Sequence, residues 1–298
     1  MIRAVIVDLD GTLLNDKNQI TENTVEIIKQ FQEQGGLFAV NTGRGIESVA
    51  PILKEAGLEC DCLCLSGAAI YDSKGMCLLS DTMQESEVAL VREVEHKYGM
   101  LGMYLSTCGV IAEGTYDEAR DHYLEQGHII ARESKQEISD EEIIAKHQWV
   151  LDMVQFETKI EKKLAEGEQV YKMVMMCMSQ DVLQKAQAEM NQCTGILAFR
   201  TTPTTIEVNA ARVDKGVSTM KYIEMKGILP EETMVIGDSG NDIPMFEIPV
   251  GKKVAMANAM EEVKALSTDI TKSYLEDGVA YAIQKWGFLP GGNEYVSR

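Results

Sequence analysis

Short apolar runs alternate with amphipathic stretches along the first 80 residues. Ala4-Val5-Ile6-Val7 is uninterrupted, largely β-branched and short, the pattern of a central parallel strand buried on both faces. Thr21-Glu22-Asn23-Thr24 then caps the spaced apolar positions Val25, Ile28 and Phe31, which predict a helix ended by Gly35-Gly36. Leu37-Phe38-Ala39-Val40 repeats the strand signal, Gly43-Arg44-Gly45 opens a helix with Val49, Leu53 and Ala56 on one face, and 62–65 supplies a third strand. A β-α-β-α-β order implies a parallel sheet with right-handed crossovers.

From about residue 83 the texture changes. A helix is expected over 85–98 and a strand over 103–106. The stretch 113–147 follows, irregular and acidic, with ten Asp/Glu against four Lys/Arg, and is read as a solvated face. A strand over 170–178, a helix over 181–192 and paired strands over 196–200 and 205–208 complete this block. After Asn209 the earlier rhythm returns, with a helix over 217–226 and strands over 234–236 and 254–256. The expected fold class is α/β, a Rossmann-like, doubly wound parallel sheet from 1–82 and 209–298, interrupted by an α+β domain over 83–208.

Composition narrows the function classes. Lys and Arg total 28 against 47 Asp and Glu, a formal net charge of −19 that opposes binding to a phosphate backbone, so no nucleic-acid partner is expected. No apolar run reaches the ~18 residues of a membrane span, and Asp8 stands where a secretory leader would be apolar, so no membrane association is expected either. The seven cysteines suit a reducing cytoplasm. Cys60, Cys62 and Cys64 lack a nearby histidine and are read as strand residues whose small side chains split between two faces rather than as a metal site. The four histidines, all in the inserted block, are read as surface or core, and the methionine-rich run 173–178 as sheet core, with an adaptable substrate surface as the alternative.

Candidate chemistry begins where the first strand ends. Asp8-Leu9-Asp10-Gly11-Thr12 sets two carboxylates at a strand's carboxyl end, where ligands of open α/β sheets collect, and two acids in one crevice call for a cation or a proton. Asn41-Thr42-Gly43-Arg44 follows the second strand, Asp214-Lys215-Gly216 precedes a helix, and Gly237-Asp238-Ser239-Gly240-Asn241-Asp242 follows another apolar strand. In this order the four segments resemble the four motifs of the haloacid dehalogenase-like (HAD) superfamily of phosphohydrolases. The insertion between the second and third, with the tail segments 254–259 and 276–280, resembles its Cof-like subgroup with a mixed α/β cap.

The resemblance implies roles. Asp8 would be the nucleophile that forms an aspartyl-phosphate, and Asp10 the acid/base that serves the leaving group and then water. Asp8 and Asp238, with the backbone carbonyl of Asp10, would bind Mg2+. Thr42, Gly43, Lys215 and Asn241 would hold the phosphoryl group, Thr42 through its hydroxyl and its backbone N–H at a helix start. Gly11 would let the loop approach the substrate, Arg44 would touch substrate or cap, and Asp242 would either bind a metal-bound water or salt-link to Lys215. Where relatives carry Asn-Gly after the third strand, this chain has Ser66-Gly67, which changes the reach of that position toward substrate.

The expected activity is Mg2+-dependent hydrolysis of small phosphorylated metabolites such as sugar phosphates, with the cap covering the site. A sugar phosphomutase would share Asp8 and Asp10 and differ in the acceptor. A silent binding protein would keep the fold without turnover. Dehalogenation fits poorly, because Asp10 is not a feature of that branch. Substrate identity and oligomeric state are not legible.

Overall fold

The computed structural model describes residues 1–134, 137–157 and 160–287. Its strands in chain order are β1 Ala4–Val7, β2 Leu37–Asn41, β3 Asp61–Cys64, β4 Ala69–Tyr71, β5 Cys77–Ser80, β6 Leu101–Ser106, β7 Gly109–Glu113, β8 Val154–Glu157, β9 Val170–Met176, β10 Ile196–Thr202, β11 Thr205–Ala210, β12 Thr233–Gly237, β13 Lys252–Ala255 and β14 Asp269–Ile270. The chain divides into two compact units, Met1–Ser80 with the chain from Val213 onward, and Asp81–Arg212. No helix among the described residues is long and apolar enough to cross a membrane.

The first unit is built on one sheet in the order β14-β13-β12-β1-β2-β3-β4-β5. β1 pairs in parallel with β12 on one side and with β2 on the other. The chain therefore leaves β1 toward β2 and later returns to its opposite edge, which makes the carboxyl end of β1 the topological switch point. All four β1 residues are fully buried, as a strand covered on both faces requires. The expected helices form as Glu22–Glu33, capped by the Thr21 hydroxyl, and Ile46–Ala56, ended by Gly57 in the left-handed region. The antiparallel β4–β5 hairpin was not foreseen, its strands being too short to show a period.

The second unit holds a separate sheet in the order β10-β11-β9-β6-β7-β8. Met173, Met175 and Met176 are buried in it, as core. The acidic stretch is a correction: it is not irregular but forms the helices Tyr116–Ser134 and Asp140–Met153, with residues 135–136 outside the described set. Ala119 and Tyr123 on the first and Leu151 on the second pack with Met103, Ala112 and Met176 of the sheet, while most of the acids face water. A second correction concerns the cysteines. Side chains two apart on a strand share a face; the Cys62 thiol donates to the Cys60 carbonyl at 3.8 Å, and the neighbouring Cys60 and Cys64 thiols pull it down to about 5. Among the described residues there is no disulfide.

Candidate active site

Asp8 continues the β1 ladder, its backbone N–H donating to the Ile236 carbonyl at 2.9 Å, so its side chain emerges at the switch point beside the end of β12. The next five residues, Leu9–Leu13, turn tightly, with Gly11 at φ +75°. A Cβ at Gly11 would lie 2.5 Å from Asp238 Oδ2, so glycine is required both by the backbone conformation and by the approach of the first loop to the fourth.

Lys215 opens the helix Lys215–Met225 behind its cap Asp214, whose carboxylate accepts from the Val217 N–H at 2.7 Å. Its ammonium is fully buried and donates to Asp8 Oδ1 at 2.5 Å, Asp242 Oδ1 at 2.6 Å and Asn241 Oδ1 at 3.3 Å. Asp242 Oδ2 accepts the backbone N–H groups of Asp238 and Ser239 at 2.9 and 3.0 Å. Of the two roles left open for Asp242, the geometry shows the salt link to Lys215. Among the described residues the side-chain oxygens of Asp238 meet neutral donors alone: the Thr12 hydroxyl at 2.9 Å on Oδ1 and the Asn258 amide at 3.4 Å on Oδ2.

Three carboxylates around one ammonium leave negative charge in excess. Burial first, then the charge of Asp242, pushes the Asp8 carboxyl well above the usual carboxylate range against the pull of Lys215. The same two causes push Asp238 up to about 6. For Lys215 burial acts downward, but Asp242 and Asp8 outweigh it and hold the ammonium above the ordinary lysine range. Asp8, Asp238 and Asp242 bring carboxylate oxygens within 4.8 Å of one another. An all-oxygen donor set with surplus negative charge fits a hard divalent cation.

Arg44 forks the Asp10 carboxylate, Nε to Oδ2 at 2.9 Å and a terminal nitrogen to Oδ1 at 2.5 Å. The motif arginine thus meets the motif acid. Thr42 is buried after β2, and its hydroxyl accepts from the Arg44 N–H at 3.1 Å. Its own N–H is spent on the Leu63 carbonyl at 2.8 Å, and the helix begins only at Ile46. The expectation that Thr42 offers a backbone N–H at a helix start is therefore corrected, and the hydroxyl is what it has to give. Gly43 lies between them in the turn.

Two residues were missed. Asn41 is fully buried and donates from Nδ2 to the Lys215 carbonyl at 2.9 Å and to Thr219 Oγ1 at 3.1 Å, tying β2 to the helix that carries Lys215. Asn258 donates to the Gly11 carbonyl at 2.9 Å as well as to Asp238. It stands inside a tail segment that carried the family resemblance without an assigned role. Ser66 is buried at φ +58°, with no partner for its hydroxyl among the described residues.

A family model described as haloacid dehalogenase-like hydrolase matches residues 5–283. The chain belongs to that family. One relative, the 5-amino-6-(5-phospho-D-ribitylamino)uracil phosphatase YwtE of Bacillus subtilis, is 29% identical over 95% of this chain and 98% of its own length. A second, the 5-amino-6-(5-phospho-D-ribitylamino)uracil phosphatase YcsE of the same organism, is 25% identical over 96% of each chain. A solved haloacid dehalogenase-like hydrolase from B. subtilis superposes with a TM-score of 0.84 at 22% identity, over 96% of this chain and 100% of that one. Family, fold class and membership among phosphatase-type hydrolases, each expected from the motifs, are borne out.

Proposed function

We propose that this enzyme hydrolyses phosphate monoesters of small metabolites with Mg2+, through phosphorylation of Asp8. The observation that carries the proposal is the sealed cluster at the switch point. Asp8 has one oxygen on Lys215, and the other accepts no hydrogen bond from the described residues. That second oxygen attacks phosphorus as the P–O ester bond breaks and the leaving alkoxide takes a proton from Asp10. Water, giving a proton back to Asp10, then attacks the acyl phosphate and releases phosphate and Asp8. Both oxygens of Asp10 sit on Arg44 in this structure, so that pair opens before Asp10 reaches the ester.

Lys215 neutralises charge on Asp8 and the phosphoryl group, with the Thr42 hydroxyl, Gly43 and Asn241 as its further contacts. The carboxylates of Asp8 and Asp238 and the backbone carbonyl of Asp10 would hold Mg2+, which supplies positive charge to the phosphoryl oxygens. Two relatives that span nearly the whole chain act on a phosphorylated ribitylaminouracil, which supports a metabolite of that size class as substrate. The test is phosphate release across a panel of metabolite esters with and without Mg2+, wild type beside Asp8→Asn. The expected outcome is metal-dependent turnover that falls by at least about 10³-fold in the variant, the scale of losing a nucleophile. Turnover retained in Asp8→Asn would sink the assignment, and transfer of phosphate within a hexose 1-phosphate would mark a mutase instead.

A further inference from the structure

Resting on that proposal, we infer that Asn258 is a positioning residue of the metal site: its side-chain amide, together with the Thr12 hydroxyl, ties the loop that presents the Asp10 carbonyl to the carboxylate of Asp238. Asn258 lies in the loop that follows β13, far along the chain from either partner. Its Nδ2 donates to the Gly11 carbonyl at 2.9 Å and to Asp238 Oδ2 at 3.4 Å. An amide nitrogen carries two hydrogens, so both acceptors are served at once. Its Oδ1 accepts the Tyr274 backbone N–H at 3.1 Å, which fixes which end of the amide faces the site.

The geometry gives this link leverage. The Gly11 carbonyl belongs to the peptide after the one that carries the Asp10 carbonyl, and Gly11 at φ +75° lets the first loop lie against Asp238 without an intervening Cβ. The opposite oxygen of Asp238 is held by Thr12 of that same loop at 2.9 Å. Asp238 is therefore steered from both sides by groups that carry no charge. Such donors orient a carboxylate without competing with a cation for it, which is the ordinary work of partners lying behind metal ligands. Lys215, by contrast, reaches Asp8 and Asp242, and among the described residues Asp238 is left to Thr12 and Asn258 for its side-chain hydrogen bonds.

Direct binding of Mn2+ to the metal-free protein, followed by the electron paramagnetic resonance of the free ion, tests the assignment without requiring turnover. Wild type is compared with Asn258→Ala, Tyr274→Pro and Asp238→Ala. Tyr274 opens a short turn, Tyr274–Glu276, behind the extended residue Ser273, so proline there removes the N–H that orients Asn258 and leaves the turn intact. Asn258→Ala is expected to weaken Mn2+ binding by about 10-fold and to raise the half-saturating Mg2+ concentration alike, while kcat at saturating Mg2+ changes less. Tyr274→Pro is expected to move both in the same direction by less. Should Asn258→Ala fail to give a wild-type circular dichroism spectrum, the proline variant decides. Affinities within about twofold of wild type in the folded variants would overturn the inference, and so would Mn2+ that binds wild type no better than Asp238→Ala. Wild-type protein that binds Mn2+ but hydrolyses no ester would count against the phosphatase proposal alone.

Discussion

Among the described residues two clusters bring potential ligand atoms within 4.8 Å of one another: Asp8, Asp238 and Asp242 in the first unit, and Glu95, His96 and Glu113 in the second. Their surroundings differ. In the second, the Arg92 guanidinium bonds both Glu113 and Glu161, and the Tyr104 hydroxyl donates to Glu95. Glu113 and Glu161 keep 25% and 61% of their side chains in water, so solvent carries much of their charge. In the first, Asp8, Asp242 and Lys215 are sealed, at most 5% exposed, and the acids outnumber the ammonium. Convergence of acids is thus not what makes a site. Burial of two of its three acids with the ammonium they share, at the carboxyl ends of parallel strands, separates the first cluster from the second, in which Glu95 alone is buried.

Replacing the cation of each cluster by methionine sharpens the contrast. Lys215→Met strands two buried carboxylates and is expected to cost about 4 kcal/mol of stability as well as turnover, whereas Arg92→Met is expected to cost about 2 kcal/mol, because its partners Glu113 and Glu161 reach water. Chemical denaturation of both variants beside wild type is the measurement. Equal losses would mean that exposure does not distinguish the clusters.

The second unit also carries a pH dependence of its own. Burial pushes His122 down to about 4, and its Nε2 has no partner among the described residues. A histidine lowered by folding contributes stability that is present above its unfolded value near 6.5 and lost as pH falls toward the folded value. Between pH 7 and pH 5 the loss is expected to be about 2 kcal/mol, and His122→Gln should flatten that part of the stability profile. A profile unchanged by the substitution would show that another group titrates.

The smallest expected effect lies at Ser66. A serine at φ +58° with an orphaned hydroxyl is strained, and Ser66→Gly is expected to raise stability by about 1 kcal/mol. A lower melting temperature in that variant would show that the hydroxyl has a role the fold requires.

Much of this molecule could be read along the chain. β1, β2 and β12 were legible because buried parallel strands are continuous apolar runs, and the loops at their ends carry the motif residues Asp8, Thr42 and Asp238. Other features were not. Helix Tyr116–Ser134 was missed because buried His122 and Gln126 share the inner face with Ala119 and Tyr123, which blurs the helical period. Cys62 and Cys64 stand in a strand as expected, but the split of the cysteine side chains between two faces overlooked that a spacing of two keeps them on one.

By itself, then, the sequence determined the alternation of strands and helices, the acidic strand ends and the family they indicate, because these depend on local periodicity and on residue type. Only the tertiary structure decided that Arg44 takes Asp10, that the Thr42 N–H is already spent, that Asp242 serves Lys215 and that Asn258 reaches Gly11 across 247 positions. Those pairings follow from strand register and loop closure, which bring together groups that no local pattern relates.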